Sequence, residues 1–286
     1  MKKLAILADI HGNLFALQAV IEDLERLNVD EVIVAGDLVG RGPQGDGVVK
    51  SVREQGWQVL RGNHEDYLLS FIRNDIPDQW RIAEEWAASR WMAAELSSSS
   101  ADFIASLPFS LQSEADKTIE IFHGSPNSHT EGIGEWVSSQ VLEEHLKAID
   151  GKILVCAHTH RPLHYKSPAG EIINVGSVGL PFNRDWRAQY ALFTGHEGSW
   201  EVSFRKVSYN REDFLAYYDS SGFLQQGGLT AQLLYREVQE ARPFLVPFLK
   251  WAESLKRSPR AEDLDEFFQI FEPTGNLKDF FDSLQP

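Results

Sequence analysis

The sequence predicts an α/β fold that contains more than one sheet. Its first third alternates short apolar runs, which are typical of buried strands, with amphipathic helical segments. Strand-like runs return after a long helical stretch, and Gly and Pro separate several of them. Polar residues follow directly after several predicted strands, where the carboxyl ends of parallel strands form one crevice. We therefore expect the functional site at that edge of the sheets.

A β-α-β unit opens the chain. Its strands are predicted at residues 4–8, 31–35 and 57–60, and its helix is predicted at residues 14–27. Asp9, Asp37 and Asn63 each come shortly after one of these strands. Their side chains are therefore candidates for the crevice.

A helical insertion is predicted at about residues 65–107, where apolar residues recur at helical spacing without a strand-like run. Beyond it, further strand-like segments indicate a second sheet. They lie at residues 109–112, 118–122, 152–156, 171–175, 189–193 and 201–207. After residue 209 the pattern is helical again, with prolines as breaks. We therefore expect a domain of residues 1–208, which contains the insertion, and a C-terminal helical extension of residues 209–286.

Composition limits the partners of the protein. The 286 residues carry a formal net charge of -15, which argues against broad binding to nucleic acid or anionic membranes, because clustered Lys and Arg hold phosphate backbones. The first apolar run is broken by Asp9 and predicts no signal peptide, and no apolar stretch is long enough to span a membrane. The single cysteine, Cys156, suits a reducing compartment. We therefore expect a cytoplasmic protein.

Three motifs follow the predicted strands of the first sheet. Asp9 and His11, in Asp-Ile-His-Gly-Asn, supply a carboxylate and an imidazole that suit a borderline divalent cation. Asp37, in Gly-Asp-Leu-Val-Gly-Arg-Gly, can bridge two cations with its two oxygens. Asn63 and His64, in Leu-Arg-Gly-Asn-His-Glu, add an amide oxygen and a second imidazole. Taken alone, the first motif is more typical of a helix N-cap and a surface histidine, and the second can be an ordinary Gly-Asp turn.

Two further motifs end strand-like runs of the second sheet. His123 precedes a glycine, and His158 and His160 form a His-x-His pair. Each alone is better explained by surface histidines. Together, five loops at strand ends that all carry hard or borderline ligands indicate a metal site.

In order and residue type these motifs resemble those of the calcineurin-like metallophosphoesterase superfamily, which read D-x-H, G-D, G-N-H-[DE], H and G-H-x-H. The resemblance covers roughly residues 3–207, with Ala157 in place of the usual glycine before the last pair. It implies a four-layer αββα sandwich of two mixed sheets, with a dinuclear metal site at the carboxyl ends of their strands.

The resemblance also implies which residues hold the two cations. One cation would be held by Asp9, His11, Asp37 and His160. The other would be held by Asp37, Asn63, His123 and His158, so that Asp37 bridges the two. Manganese is the expected metal, although mixed carboxylate, amide and imidazole ligands also suit Fe, Zn, Ni or Co.

The chemistry of such a site predicts the reaction. Two cations about 3.5–4 Å apart can clamp a phosphate, neutralise developing charge and form hydroxide from a bridging water near neutral pH. We therefore expect hydrolysis of a phosphate ester by metal-bridging hydroxide. His64 lies beside a ligand but outside the implied ligand set, so it is the predicted general acid for the leaving alkoxide. Its alternative role is to orient the site.

Three arginines adjoin the metal motifs and are candidates for substrate binding. Arg41, Arg61 and Arg161 each carry a planar guanidinium that can grip phosphate oxygens in a bidentate manner. A surface salt bridge is equally open for each. Arg41 is the preferred contact, because the resemblance places an arginine there in protein phosphatases.

Within the superfamily, the motifs resemble those of two different branches. Those around Asp37 and Asn63 resemble the serine/threonine phosphatase branch, but Gly40 stands where that branch has aspartate. The pair His158 and His160 looks like that of small prokaryotic phosphoesterases. We therefore predict a small-molecule phosphodiester or phosphomonoester as substrate.

Two alternatives stay open. One is a serine/threonine-type protein phosphatase, and the other, from a different class, is a catalytically silent metal-binding scaffold. We expect neither a membrane nor nucleic acid as a partner. Aromatic helices near the C-terminus leave a homo-oligomer open.

Overall fold

Ten strands form the centre of the part of the molecule that the computed structural model describes, namely residues 1–196, 198–272 and 277–284. In chain order they are β1 (Lys2–Leu7), β2 (Glu31–Val34), β3 (Gln58–Val59), β4 (Ser110–Gln112), β5 (Ile119–Phe122), β6 (Ile153–Cys156), β7 (Leu163–Ser167), β8 (Gly170–Asn174), β9 (Ala188–His196) and β10 (Ser199–Val207). The predicted α/β class is confirmed, and β7 is a strand that the sequence pattern did not predict.

The strands make two mixed sheets of five. The first has the order β10-β9-β1-β2-β3, and the second has the order β4-β5-β6-β8-β7. In the first sheet β1, β2 and β3 are parallel, with Ile6 opposite Ile33, and β9 runs antiparallel to β1. In the second sheet β5, β6 and β8 are parallel, and antiparallel strands close both edges. The parallel strands bring the loops that follow them to a common edge.

The helices lie between and after these strands. They are α1 (Leu14–Leu27), α2 (Gly45–Gln55), α3 (Asn63–Ile72), α4 (Ala87–Glu95), α5 (Ser98–Ser106), α6 (Ser139–Lys147), α7 (Arg211–Ser220), α8 (Phe223–Gln226), α9 (Gly228–Glu240), α10 (Leu245–Ser254), α11 (Leu264–Phe271) and α12 (Leu277–Ser283). Helix α1 begins where the side chain of Asn13 accepts the backbone N–H of Ala16 at 3.0 Å, and it ends at Asn28, which has a left-handed φ of 49°. None of the described helices is long and apolar enough to cross a membrane.

The layers follow from the alternation of side chains along β1. Leu4 and Ile6 face the second sheet and pack with Val155 of β6, while Ala5 and Leu7 face the opposite side and pack with α1 and α2. Helix α6 covers the outer face of the second sheet. Helices therefore lie on both outer faces of two packed sheets, which is the four-layer αββα arrangement that the resemblance implied.

The insertion is helical, as predicted. The described residues 65–107 contain α4, α5, most of α3 and two short 3-10 turns, and no strand. Leu68, Ala88 and Met92 of these helices pack in the same cluster as the outer face of the first sheet. The insertion therefore extends the helical layer over that sheet.

The C-terminal extension is helical as well and packs in two places. Phe214 and Tyr218 of α7 join the cluster that covers the first sheet. A separate cluster, the C-terminal aromatic cluster, forms between α9 and the helices that follow it. Its buried aromatic residues are Phe244, Phe248, Trp251, Phe267, Phe271 and Phe280. Helix α9 contributes to both clusters, through Leu234 to the first and Leu233 to the second.

Candidate metal centre

The structure brings together all the predicted metal ligands, although five separate loops supply them. These loops follow β1, β2, β3, β5 and β6 at the common edge of the two sheets. The ligands are Asp9, His11, Asp37, Asn63, His123, His158 and His160. Parallel strand order therefore explains why residues far apart in sequence converge.

Left-handed backbone conformations turn these side chains inward. Asp9, His11, Asp37, His158 and His160 have φ values of 53°, 49°, 55°, 66° and 57°. Such values are uncommon for residues other than glycine and persist only where the surrounding structure imposes them. Hydrogen bonds between the loops impose them here, since Asp9 N donates to the Gly36 carbonyl at 3.1 Å and His11 N donates to the Asp37 carbonyl at 3.0 Å.

One half of the site consists of a carboxylate and two imidazoles. The Nε2 atoms of His11 and His160 lie 3.0 Å apart, and they lie 3.8 Å and 3.6 Å from Oδ1 of Asp9. The Nδ1 atom of His11 donates to the Val39 carbonyl at 3.1 Å, and that of His160 donates to the Leu180 carbonyl. These bonds leave the Nε2 lone pairs directed into the site.

The other half gathers around the amide oxygen of Asn63. This Oδ1 atom lies 3.0 Å from Nε2 of His123 and 2.9 Å from Nδ1 of His158. Oδ2 of Asp37 is 3.3 Å from Nε2 of His123 and 3.6 Å from Nε2 of His11. Asp37 therefore lies between the two halves.

Three atoms of the site lack the partners that a divalent cation would supply. Oδ1 of Asp9 is buried and has no hydrogen-bond partner among the described residues. The two Nε2 atoms of His11 and His160 face each other although both are acceptors when Nδ1 carries the proton. A cation would pair with all three atoms, and an oxygen and nitrogen donor set of this kind suits Mn, Fe, Zn, Co or Ni.

Burial and charge set the protonation of these groups. Burial lowers the pKa of His11 to about 3 and that of His158 to about 4, so both are neutral at pH 7 and can donate lone pairs to a metal. Burial also acts to lower the pKa of His123, but Asp37 and Asp9 outweigh it and raise this pKa to about 10. Burial raises the pKa of Asp9 well above its usual value.

Glu65 fixes two of the ligand loops, although sequence reasoning gave it no role. Its fully buried carboxylate accepts the backbone N–H groups of Asp37, Leu38, Val39 and Gly62 at 2.9, 2.8, 3.3 and 2.7 Å. Burial raises the pKa of Glu65 to about 7, and these N–H donors act in the opposite direction. The position of Glu65 three residues after Gly62, the N-cap of α3, is the available signal, because it is the spacing of a capping box.

His64 lies at the edge of the site. Its backbone N–H donates to Oδ1 of Asp37 at 2.9 Å, and its ring meets the ring of His11 edge-on at 4.8 Å. Its Nε2 atom accepts a hydrogen bond from Nε of Arg41 at 3.2 Å. Gly40 has a φ of 80°, and a Cβ there would collide with Nδ1 of His64. Desolvation lowers the pKa of His64 well below its usual value, and Arg41 acts in the same direction.

The three predicted phosphate-binding arginines have different surroundings. Arg41 reaches the site, but Glu237 accepts a hydrogen bond from its Nη1 atom at 3.1 Å. Arg61 donates to Asp66 at 3.2 Å and to the Ala105 carbonyl, so its visible contacts are those of the salt-bridge alternative. Arg161 donates from Nε to the Phe182 carbonyl at 3.1 Å.

Trp136 is a residue at the rim that the motifs did not reveal. Its side chain is 61% exposed, and the guanidinium of Arg161 lies 6.0 Å from the centre of its ring. A Cβ on the neighbouring Gly132 would contact both Trp136 and His158, which places the indole close to a metal ligand. An exposed indole at this position offers a planar group a surface to stack on.

Comparison with known proteins identifies the family. The calcineurin-like phosphoesterase family matches residues 2–162 of the chain. In sequence the chain is 23% identical over 222 residues to the Methanocaldococcus jannaschii protein MJ0912, and the match covers 72% of the chain and 88% of that protein.

Two further relatives differ in how much they share. A symmetrical bis(5'-nucleosyl)-tetraphosphatase of Psychromonas ingrahamii is 37% identical over 68 residues, which are 23% of the chain and 25% of that enzyme. A solved metallophosphoesterase from Sphaerobacter thermophilus has a TM-score of 0.65 at 25% identity, and the match covers 84% of the chain and 99% of that structure. With its fold, its buried Asp and His groups and a match over more than half its length, the chain belongs to the calcineurin-like phosphoesterase family.

Proposed function

We propose that the protein hydrolyses a phosphate ester of a small molecule, with two divalent cations held by the seven ligands of the metal centre. One observation carries the proposal above the others. A buried carboxylate oxygen of Asp9 has no hydrogen-bond partner among the described residues and faces two imidazole lone pairs, those of His11 and His160. Burying such groups together is costly unless a cation compensates them.

The ligands divide between the two cations as their positions suggest. Asp9, His11 and His160 would hold one, and Asn63, His123 and His158 would hold the other. Asp37 lies between them and would hold both. When bound, two such cations neutralise the charge of a phosphoryl group and lower the pKa of water near it. Manganese is the metal that we propose, because carboxylate and amide oxygens suit it, and the imidazoles make Fe, Zn, Co and Ni the alternatives.

His64 is the proposed proton donor to the leaving alkoxide. Because Nε of Arg41 donates to Nε2 of His64, the proton of the neutral ring resides on Nδ1. Gly40 has no Cβ to block this atom. The neutral ring therefore carries its one N–H on Nδ1, on the side of Gly40. Transfer of this proton to the leaving alkoxide would leave an imidazolate, which the Arg41 guanidinium would stabilise and to which water would return a proton.

The identity of the small molecule has a second candidate. The Psychromonas ingrahamii relative is named for the hydrolysis of bis(5'-nucleosyl) tetraphosphates. The exposed indole of Trp136 lies close to His158 and would stack on a nucleobase. A bis(5'-nucleosyl) tetraphosphate is therefore the alternative to a simple phosphomonoester or phosphodiester.

A metal-reconstitution experiment tests the proposal. Protein freed of metal with a chelator would be assayed after addition of Mn²⁺, Ni²⁺, Zn²⁺ or Mg²⁺, with an aryl phosphomonoester, an aryl phosphodiester and a bis(5'-nucleosyl) tetraphosphate as substrates. We expect activity with Mn²⁺, and we expect Asp37→Ala to lose more than about a hundredfold, since even residues that only orient metal ligands cost 10–100-fold.

Asp102→Ala is the matched control, because Asp102 is an exposed carboxylate on α5 outside the site. It should keep the activity of the original protein. Absence of hydrolysis with every metal and substrate would favour the scaffold alternative. Equal activity of the two variants would assign the hydrolysis to a contaminant.

A further inference from the structure

We infer that Glu237, in the C-terminal extension, positions His64 by holding Arg41. The chain of contacts runs from Oε2 of Glu237 to Nη1 of Arg41, and from Nε of Arg41 to Nε2 of His64, with distances of 3.1 and 3.2 Å. Glu237 is separated from Arg41 by 196 positions in sequence and belongs to none of the metal motifs. The inference rests on the proposed role of His64 as a proton donor.

Glu237 is itself held in place. Its side chain is 0% exposed on α9, and its Oε1 atom accepts the backbone N–H groups of Phe244 and Leu245 at 2.8 and 2.9 Å. A buried carboxylate is tolerated only where it is paired and hydrogen-bonded, and both of its oxygens meet that condition here. The carboxylate therefore offers Arg41 a fixed partner.

Arg41 transmits this position because its guanidinium is planar. Because Nη1 and Nε belong to one rigid plane, the contact of Nη1 with Glu237 restricts the directions that the Nε–H bond can take. The backbone of Arg41 is also restrained, since it has a left-handed φ of 60° and its carbonyl accepts a hydrogen bond from Tyr218 at 3.1 Å. Tyr218 lies on α7, so two helices of the C-terminal extension hold the same arginine.

The consequence for His64 is a fixed ring orientation and tautomer. Nε2 accepts from Arg41, so the proton resides on Nδ1 in the neutral ring. A side chain at Gly40 would collide with Nδ1, and the serine/threonine phosphatase branch that these motifs resemble has aspartate at that position. In this chain Arg41 is the polar partner of His64, at Nε2, and Glu237 supports Arg41.

Kinetics of Glu237→Gln test the inference, with Glu240→Gln as the matched control. Glu240 lies on the same helix and pairs with Arg236, at 2.7 Å, rather than with Arg41. We expect Glu237→Gln to lower kcat about tenfold with KM changed less than about twofold, and we expect Glu240→Gln to change neither. In a His64→Ala background, Glu237→Gln should lower kcat by less than about twofold more, because residues that act through one group are not additive.

A measurement on the metal-free protein keeps the inference independent of activity and of the folding of the variant. Long-range ¹H–¹⁵N spectra should assign the proton of His64 to Nδ1 in the original protein and to a mixture of both nitrogens in Glu237→Gln. A proton on Nε2 in the original protein would overturn the inference, as would an equal kcat loss in the His64→Ala background or identical behaviour of the two glutamate variants. Absence of any metal-dependent hydrolysis would overturn the proposed function, and the spectra would still decide the contact between Arg41 and His64.

Discussion

The candidate ligands of the metal centre, apart from the half-buried His158, and the rings of the C-terminal aromatic cluster are buried, but the two regions enclose opposite kinds of chemistry. The first encloses carboxylates and imidazoles, holds five of its ligands in left-handed backbone conformations and leaves an oxygen of Asp9 unpaired among the described residues. The second encloses aromatic rings, such as Phe267 between Phe271 and Phe280 at 5.0 and 5.9 Å. We infer from the comparison that the metal centre lowers the free energy of unfolding of the metal-free protein. Apolar packing elsewhere, as in the aromatic cluster, offsets this loss.

The largest expected effect on stability lies in the aromatic cluster. Phe267→Ala should lower the free energy of unfolding by about 3–5 kcal/mol, because it removes a fully buried ring and leaves a cavity among its neighbours. Urea denaturation of the metal-free protein measures this loss. Ile270→Ala on the same helix is the control, since Ile270 is exposed and should change stability by less than about 0.5 kcal/mol. Similar losses in both variants would contradict the packing described for Phe267.

Substitution of Asp9 is expected to change the stability of the metal-free protein in the opposite direction to Phe267→Ala. Asp9→Asn should weaken manganese binding about a hundredfold and should raise the free energy of unfolding of the metal-free protein by about 1–2 kcal/mol, because a buried charge beside Asp37 is removed. The raised pKa of Asp9 gives the same sign, since the ionised form is the disfavoured one in the metal-free fold. Unfolding curves recorded with chelator and with Mn²⁺ measure both effects. If Asp9→Asn lowered the free energy of unfolding with chelator present, the metal centre would not destabilise the metal-free fold.

A pH-dependent effect on stability alone is expected at Asp46, a carboxylate outside both regions. It accepts hydrogen bonds from Ser97, Ser100 and Lys50, which outweigh its partial burial and hold its pKa well below the usual value. Stability from this group is fully present above its unfolded pKa of about 3.9 and is lost as the pH falls through the folded pKa. Asp46→Asn should therefore cost about 1–2 kcal/mol at pH 7 and progressively less below pH 4. Thermal unfolding of the original protein and of Asp46→Asn, at pH 7 and below pH 4, measures this difference in stability. A difference that stays the same at the two pH values would refute the prediction.

The candidate ligands could be selected from the sequence because metal binding requires particular residue types at particular places. Asp9, Asp37 and His123 each follow a strand whose apolar run is legible without a structure. Helix α1 was predicted with the bounds that the structure gives it, since its amphipathic spacing and its Asn13 cap agree. The two sheets and the helical insertion followed from the same periodicities.

Other elements carried weaker local signals. Helix α2 begins among glycines and buries three valines, and both residue types are poor helix formers, so its packing against the first sheet decides its conformation. Strand β7 is half exposed at a sheet edge and mixes polar with apolar residues. Glu237 was inaccessible for another reason, because a buried glutamate on a helix has the same local sequence pattern as a solvated one. Only the tertiary fold brings it to Arg41.

Helix α9 links the two regions of the comparison. One side of it carries Leu229 and Leu233 into the aromatic cluster, another carries Leu234 and Val238 into the cluster over the first sheet, and Glu237 lies between them. A partial opening of the terminal helices would thus withdraw the carboxylate from Arg41 without disturbing any metal ligand. The local unfolding equilibrium of a segment that touches neither metal nor substrate would then set the fraction of molecules competent for proton transfer.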